Sequence, residues 1–381
     1  MTVELPHKPV DLPNWSENYV FSGFDPGAGI GFYHHLARMP YDPEIWRGAF
    51  GVVLPDGQAL VYKDHGRAHA DADGPASPSL AFVCREPFRR WEVRYDGVAR
   101  LTTSDALTQG LLRDGPTVPV RLDLIFEPST PPWGFGNGMD TETWADVHYE
   151  HSGRFSGTLR YDGVAIALAG TGHRDHSTGP RDVGPMLSHT WVHGEFGGGR
   201  AFQVFAAHTR PDQRFASAYV AHGSDLRAAE VLSVPGWQGR DGDPGSFVVR
   251  LQTDGGPAEI TGHTLRQRYH WSALIPWEFA FGADLDGPND PAGAWPVLET
   301  MVALEWDGEP GYGLLEVTRP RSARAPSSRR RSSSAKAASV SSPTATPCMP
   351  MARAASRLTS KSSRRTASSG ASTPRRSSVS W

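Results

Sequence analysis

The chain has 381 residues, and its formal net charge of −3 is an average over two unlike segments. Residues 321–381 hold 13 Lys or Arg and no Asp or Glu, which leaves 25 basic and 41 acidic residues, a net charge of −16, in residues 1–320. The acidic segment argues against a nucleic-acid partner, two cysteines exclude a disulfide framework, and no apolar run approaches the roughly 18 residues that span a bilayer.

The first residues, Met1 to Pro13, are polar and punctuated by proline, unlike the apolar region of a signal peptide. We therefore predict a cytoplasmic protein. Peripheral membrane contact stays open, and the sequence predicts no particular oligomeric state.

Asp-Gly pairs divide residues 1–320 into short, alternating apolar segments. Nine such pairs occur, and Asp-Gly is a strong hairpin signal because a type I′ turn needs positive φ at both central positions. One predicted hairpin joins Phe50–Leu54 to Gln58–Tyr62. The best helix candidate is Ser104–Leu112, which is short. The predicted fold class is all-β, built from barrels or sandwiches.

An internal similarity accompanies these hairpins. Arg94–Ala99 and Arg160–Ala165 have the same sequence, Arg-Tyr-Asp-Gly-Val-Ala. The match indicates either two similar halves or a coincidence among many Asp-Gly hairpins.

The densest group of ionisable residues is Gly170–Asp182, with the sequence GTGHRDHSTGPRD. Glycine and proline let a backbone bend and approach other groups closely, while His, Arg and Asp supply proton donors, acceptors and charge. Alternating apolar segments flank this motif, so we place it at the end or rim of a sheet. It is the best candidate for a functional site.

This motif resembles the signature of a bacterial lipocalin-like family of largely unassigned activity, which is distantly similar to carotenoid 1,2-hydratase and AttH-like proteins. Trp15–Tyr19, Tyr161–Gly163, Glu305–Gly308 and Gly311–Glu316 carry the same resemblance. The resemblance implies two lipocalin-like β-barrels, residues 12–170 and 171–318, and ends there.

Residues 319–381 form a basic tail rich in Ser, Arg, Ala and Pro. Such a composition buries too little apolar surface to fold, so we predict disorder. We interpret the tail as translated out of frame, because codons for Ser, Arg, Ala and Pro are frequent when GC-rich DNA is read in a shifted frame. The alternative is a basic segment that binds nucleic acid or an anionic surface.

The resemblance implies catalytic roles for three consecutive residues of the motif. The hydratases carry a stretch similar to His-Asp-His-Asn-Trp, in which the second histidine protonates an alkene. By this match His176 is the proton-transfer group and Asp175 orients it, while Arg174, which replaces the first histidine, or Arg181 clamps an oxygen or a carboxylate of the substrate. Ser177-Thr178 replaces Asn-Trp, so the π-face for a carbocation is missing. The alternative is a structural ion-pair network of Arg174, Asp175, Arg181 and Asp182.

Further side chains are candidates for binding a substrate. His189, Trp191 and His193 share one face if they lie on a strand, which suits an elongated apolar ligand. Arg181 could clamp an oxygen of the substrate, and Asp182 lies next to it in the sequence. His34 is an inward-pointing member of the His34-His35 pair, and Trp271 is an aromatic residue at a strand end. We predict that His148 and His151 are surface groups.

No metal or other cofactor is predicted. Five potential ligands lie close in sequence, but they lack the His-x-His pair and the spacing of a cupin-like metal site: His173, His176, His189, His193 and Glu195. Glycine-rich nucleotide loops are also missing from the sequence.

The predicted function is a cofactor-independent enzyme, a hydratase, isomerase or cyclase, that acts on a hydrophobic isoprenoid, polyketide or aromatic metabolite. Eleven tryptophans in residues 1–320 favour an aromatic-lined site. A non-catalytic carrier of a small hydrophobic ligand is the alternative, and a metal-dependent oxygenase is the third.

Overall fold

The computed structural model describes residues 4–68, 72–110, 115–136, 139, 142–210, 213–275, 278–285 and 295–321. These residues form β-strands and a short helix, α1 (Ser104–Thr108), whose first turn is capped by Thr103. The all-β prediction is confirmed. The candidate helix 104–112 is a single turn that ends at Thr108, before Gly110 with its positive φ, and residues 111 and 112 lie outside the described residues. No helix in the described ranges is long and apolar enough to span a membrane.

The first sheet contains ten strands: β1 (Trp15–Asp25), β2 (Ile30–Met39), β3 (Asp42–Val53), β4 (Gln58–Arg67), β5 (Leu80–Glu86), β6 (Arg90–Thr103), β7 (Thr117–Pro128), β8 (Trp133–Gly134), β9 (Val147–Tyr161) and β10 (Val164–Pro180). Their order is β10-β1-β2-β3-β4-β6-β7-β9-β8, and β5 pairs with β6. Pairing of β9 with β10 closes the sheet into a barrel.

The second sheet also contains ten strands: β11 (Ser188–Phe196), β12 (Arg200–Arg210), β13 (Gln213–His222), β14 (Asp225–Ala228), β15 (Glu230–Ser233), β16 (Ser246–Thr253), β17 (Gly256–Ile275), β18 (Glu278–Phe281), β19 (Trp295–Trp306) and β20 (Glu309–Thr318). Their order is β14-β13-β12-β11-β20-β19-β17-β16-β15, with β18 on β17. This sheet is barrel-shaped, so the fold consists of two lipocalin-like barrels, as predicted.

Two Asp-Gly turns have the predicted geometry. Asp162-Gly163 joins β9 to β10 and Asp307-Gly308 joins β19 to β20, with positive φ at all four residues. The predicted hairpin of β3 and β4 is also confirmed, since Phe50 pairs with Tyr62. By contrast, Asp96-Gly97 lies within β6, so the repeated hexapeptide is a turn in one place and a continuous strand in the other.

Several strands have no exposed face. Every residue of β1 and β2 is buried, because one face looks into the first barrel and the other packs against the second sheet. The sheets approach closely at Gly31, where a Cβ atom would lie 2.6 Å from Cγ of Met301. The described residues form three large apolar cores, one inside each barrel and one between the sheets, and a small fourth cluster around Tyr219.

The chain passes from one sheet to the other between Pro180 and Ser188, and the predicted domain boundary at residues 170–171 lies within β10. Two residues of the predicted tail contact the second sheet and its approach. Arg319 N donates to the carbonyl of Pro296 at 3.0 Å, and Arg321 N donates to that of Leu187 at 2.8 Å. The rest of the tail, residues 322–381, lies outside the described residues.

Candidate active site

The predicted motif lies on β10, and strand alternation divides it between two faces. Arg174 and His176 point into the first barrel, where the Arg174 guanidinium lies 4.5 Å from the centre of the Trp91 ring. Asp175 points the other way, into a cavity between the two sheets. The structure therefore does not bring Asp175 and His176 together as the partners that the sequence predicted.

The predicted ion-pair network is also divided. Arg174 pairs with Glu4, and Asp175 contacts His148. Among the described residues, no ion pair joins any two of Arg174, Asp175, Arg181 and Asp182, because the first two point to opposite faces and the last two follow β10.

The cavity between the sheets has a volume of about 140 Å³. Its apolar wall is mainly aromatic: Val20, Tyr33, Trp144, Met186, Trp191, Phe205, Trp271 and Trp295. Its polar wall consists of ionisable and amide side chains: Asn18, His35, Arg47, His148, Glu150, Asp175, Arg181, His189, Glu278 and Glu316. Aromatic walls with a few convergent polar groups are typical of sites for small organic molecules.

On the first-barrel side of the cavity, His148 contacts two carboxylates. Its Nε2 contacts Asp175 Oδ2 and lies 3.0 Å from Glu150 Oε1. Burial lowers the pKa of His148, but attraction to Asp175 and hydrogen bonds with both carboxylates outweigh burial and raise the pKa to about 9. His148 is therefore an imidazolium at neutral pH.

Glu150 contacts two further side chains, His173 on β10 and Trp191 on β11 of the second sheet. Its Oε2 lies 2.8 Å from His173 Nε2 and accepts a hydrogen bond of 3.1 Å from Trp191 Nε1. Burial raises the pKa of Glu150, but hydrogen bonds with His148 and His173 outweigh it and lower the pKa. A fixed negative charge therefore supports the His148 imidazolium.

A second histidine–carboxylate pair lies on the second sheet. His189 Nε2 contacts Glu316 Oε1, and Glu316 lies directly opposite the buried Glu299 across β19 and β20. Trp271 Nε1 donates to Glu299 Oε1 at 3.2 Å. Burial and repulsion from Glu316 raise the pKa of Glu299 well above its ordinary value. Burial also raises the pKa of Glu316, but contact with Glu299 and attraction to His189 lower it overall. Glu299 therefore carries a proton beside an ionised Glu316.

Arg181 contributes a positive charge to the same cavity. Its Nη1 donates to the carbonyl of Trp144 at 3.3 Å, and its guanidinium makes no other hydrogen bond within the described residues. Burial lowers the pKa of Arg181, and attraction to Asp175 and Glu316 opposes this effect. The remaining N–H groups can bind an oxygen of a ligand.

The structure places four of the predicted binding residues on the cavity wall: Arg181, His189, Trp191 and Trp271. His193 does not line the cavity; it stacks on His173 with 4.1 Å between ring centres. Asp182 lies in the connection after β10, where its Oδ1 accepts a hydrogen bond from Gly184 N.

His34 and His35 are adjacent on β2, and their side chains point to opposite faces, both of them buried. His34 lies in the core of the first barrel, stacked between Phe32 and Phe50 with 4.9 and 4.8 Å between ring centres. His35 lines the cavity, and its Nε2 lies 3.2 Å from Asn18 Oδ1. Both faces of β2 are buried, so pointing inward did not distinguish the two histidines.

Glu150, Glu299 and Glu316, the carboxyl groups around His148 and His189, are not among the site residues predicted from the sequence. His148 and His151 were predicted to be surface groups, but both are buried because β9 lies between the first core and the second sheet. His148 and Glu150 are two residues apart on one strand and so share a face. That spacing was a readable signal, whereas the pairing of Glu299 with Glu316 depends on strand register.

In the part of the chain that the structure describes, two sets of side chains could hold a metal ion. The ligand atoms of His148, Glu150 and Asp175 lie within 4.8 Å of one another, as do those of His7, Glu17 and His176. The five ligands weighed in the sequence analysis are not brought together, since β10 places His173 and His176 on opposite faces.

A family model matches residues 1–321 of this chain, with the description "Domain of unknown function (DUF7064)". The chain belongs to this family. No curated protein matches the sequence. The crystal structure of an AttH-like protein from Nitrosomonas europaea is similar, with 18% identity, a TM-score of 0.51, and coverage of 83% of this chain and 98% of that one. This likeness shows the shared fold and confirms the predicted resemblance.

Two further solved structures are similar at lower scores. CghA with Sch210972 has 13% identity and a TM-score of 0.49 over 81% of this chain and 89% of that one. Kievitone hydratase from Nectria haematococca has 11% identity and a TM-score of 0.46 over 79% and 88%.

Proposed function

We propose that the protein is an enzyme that transfers protons to and from a small hydrophobic substrate, in a hydration, a double-bond isomerisation or a cyclisation. The observation that carries the proposal is that two histidine–carboxylate pairs, His148–Asp175 and His189–Glu316, line one aromatic cavity. Two groups of titratable residues whose pKa values differ provide an acid and a base at one site.

The proton donor in this proposal is the Glu299–Glu316 pair. Glu299 is completely buried and carries a proton at neutral pH, and Glu316, which lines the cavity, can pass that proton to a substrate carbon. His189 contacts Glu316 and keeps its carboxylate in place. The pair is restored when a proton returns from the solvent.

The proton acceptor is Asp175, on the opposite wall. In a hydration, one alkene carbon takes the proton from the Glu299–Glu316 pair, the other carbon bonds to a water oxygen, and that water loses a proton to Asp175. In an isomerisation, Asp175 instead removes a proton from the neighbouring carbon. His148 contacts Asp175 and keeps its carboxyl group in place on the cavity wall.

The other residues of the cavity wall could stabilise the positive charge that develops on a substrate carbon during such a reaction. Trp191 and Trp271 line the cavity, and the π-face of an indole ring can stabilise a carbocation. Arg181 can bind an oxygen of the substrate at the same time. Since the cavity volume of about 140 Å³ is below the ~300–1,000 Å³ of typical ligand sites, it would enclose the reacting end of a larger metabolite.

Isotope transfer tests the proposal. The protein, purified from its own host, is first examined by native mass spectrometry for a bound small molecule. It is then incubated with a lipid-soluble extract of that host in deuterium oxide, or in heavy-oxygen water. We expect a product that gains deuterium at carbon, and also gains heavy oxygen if the reaction is a hydration.

Glu299→Gln is the decisive variant, and Glu195→Gln is its matched control. Glu195 is another buried glutamate of the second sheet, with a pKa that burial raises to about 7, but it does not line the cavity. Glu299→Gln should lower isotope transfer at least about 100-fold and keep ligand binding, since general acid catalysis contributes that much. The control should keep both.

The alternatives give different results. A non-catalytic carrier would bind a ligand and transfer no isotope in any variant. A metal-dependent oxygenase would lose activity on treatment with a chelator and on removal of oxygen, whereas proton transfer needs neither condition. Equal isotope transfer by wild type and Glu299→Gln would refute the proposed donor.

A further inference from the structure

A second buried polar group lies inside the first barrel, on the face of β10 opposite the cavity. Arg174 is completely buried, and its Nη1 lies 2.7 Å from Glu4 Oε1. Tyr149 donates its hydroxyl to the same oxygen at 2.6 Å. Trp91 Nε1 and the backbone N of Phe88 donate to the other oxygen, Oε2, at 2.9 and 3.0 Å. Four donors therefore converge on one carboxylate.

This donor set has capacity beyond what Glu4 uses. Nε and Nη2 of Arg174 are buried and have no hydrogen-bond partner within the described residues. The Tyr149 and Trp91 rings flank the guanidinium at 5.4 and 4.5 Å. A guanidinium that aromatic neighbours hold in place can bind the carboxylate of a small molecule.

The segment that brings Glu4 to this site is weakly held by apolar contacts. Leu5, Val10 and Leu12 are 42%, 50% and 48% exposed. The segment is instead anchored by Glu4 and by His7, whose Nδ1 lies 2.7 Å from Glu17 Oε1. Release of Glu4 alone would leave the buried Arg174 guanidinium unpaired, which is costly, whereas exchange of Glu4 for a ligand carboxylate would keep the ion pair and its hydrogen bonds.

We propose that Arg174, Tyr149, Trp91 and the backbone N–H of Phe88 form a binding site for a small carboxylate-bearing molecule, which Glu4 occupies in this structure. The ligand would displace Glu4 and release the segment before β1.

Release of the segment would also uncover His176. This histidine lies next to the carboxylate site, with Nδ1 2.7 Å from the Tyr149 hydroxyl and Nε2 3.1 Å from Glu17 Oε1. His7, which packs 5.7 Å from the His176 ring, would leave together with Glu4. A carboxylate bound to Arg174 would therefore lie beside a histidine and an acid, Glu17, that the cavity does not use.

Competition with Glu4 sets the expected affinities. When only a fraction of molecules has an open site, the apparent dissociation constant is the intrinsic constant divided by that fraction. An open site leaves Arg174 unpaired, so the open fraction is below about one molecule in ten, and a variant without the Glu4 carboxylate binds at least about tenfold more tightly than wild type. The increase in affinity of the variant over wild type measures how strongly the segment keeps the site closed.

Sodium propionate is the probe, and propionamide is its uncharged control. Full-length wild type, Glu4→Ala and the double variant Glu4→Ala/Arg174→Met are titrated by calorimetry and by tryptophan fluorescence, with folding checked by circular dichroism. Glu4→Ala should bind propionate about tenfold or more tightly than wild type and should not bind propionamide. Adding Arg174→Met should abolish binding.

In wild type, propionate should increase the hydrogen exchange of residues 5–14, which a carboxylate bound elsewhere would not do. A folded Glu4→Ala that binds propionate no better than wild type would overturn the proposal, and so would equal affinity for propionamide. If Glu4→Ala does not fold, Glu4→Gln takes its place, and a folded Glu4→Gln without a gain in affinity overturns the proposal equally.

Discussion

Replacing Glu299 with glutamine should remove a loss of stability that wild type shows as the pH rises. Glu299 and Glu316 are both buried and lie directly opposite one another on β19 and β20. Glutamine has almost the same shape, can accept the hydrogen bond from Trp271 through Oε1, and has no proton to lose. The variant thus separates the charge of Glu299 from its packing.

The size of this pH effect follows from the number of protons that the two glutamates bind in the folded and in the unfolded chain. The folded pair holds one proton at neutral pH, on Glu299, whereas the unfolded chain holds none. A group whose pKa is raised in the folded state stabilises the fold below its unfolded pKa, and this stabilisation is lost as the pH rises toward the folded value. The free energy of unfolding should therefore fall by about 1.4 kcal/mol per pH unit above about pH 5, or about 3 kcal/mol between about pH 5.5 and about pH 7.5.

Urea unfolding followed by tryptophan fluorescence at several pH values measures this slope. Other groups also titrate, so the useful quantity is the difference between wild type and Glu299→Gln, with Glu230→Gln as the control. Glu230 is exposed on β15, and its replacement should leave the slope unchanged. Parallel slopes for wild type and Glu299→Gln would show that Glu299 is ionised in the folded protein, and the proposed proton donor would be wrong.

Two further predictions concern stability. A chain ending at Arg321 should melt at the wild-type temperature and be more soluble. A chain ending at Thr318 should melt several degrees lower, because it lacks Arg321, whose Nη2 donates to two backbone carbonyls before β11. Equal melting temperatures of the two shortened chains would contradict this prediction. His34→Leu should unfold at lower pH than wild type in an acid titration. Burial lowers the pKa of His34 to about 3, so the unfolded chain gains a proton below about pH 6.5 that the fold excludes.

The hairpins were predictable where a turn signal coincided with a real change of direction. Asp162-Gly163 and Asp307-Gly308 both form turns with positive φ. Asp96-Gly97 carries the same signal but lies within β6, at the point where the strand changes partner from β5 to β4. A local signal cannot distinguish these cases, because the partner of each half of β6 is decided by residues far away in the sequence.

The candidate site was predictable in part. The motif on β10, together with the strand that carries His189 and Trp191, led to one wall of the cavity. The pairing of Asp175 with His176 was not formed, because adjacent residues of a strand point to opposite faces. Strand alternation is readable from the sequence, so it predicts that Asp175 and His176 separate wherever the motif lies on a strand.

Burial of β10 on both faces explains why its neighbouring ionisable residues have different partners. A strand with one exposed face directs its ionisable residues to water, and only the inward set needs partners. β10 has no exposed face in its central part, so Arg174, Asp175 and His176 must each find a partner, and they find different ones. Because an unpaired buried charge is costly, each such residue indicates an opposite charge nearby in the fold. For Arg174 that charge comes from Glu4, a residue that no motif marked and that lies far from it in the sequence.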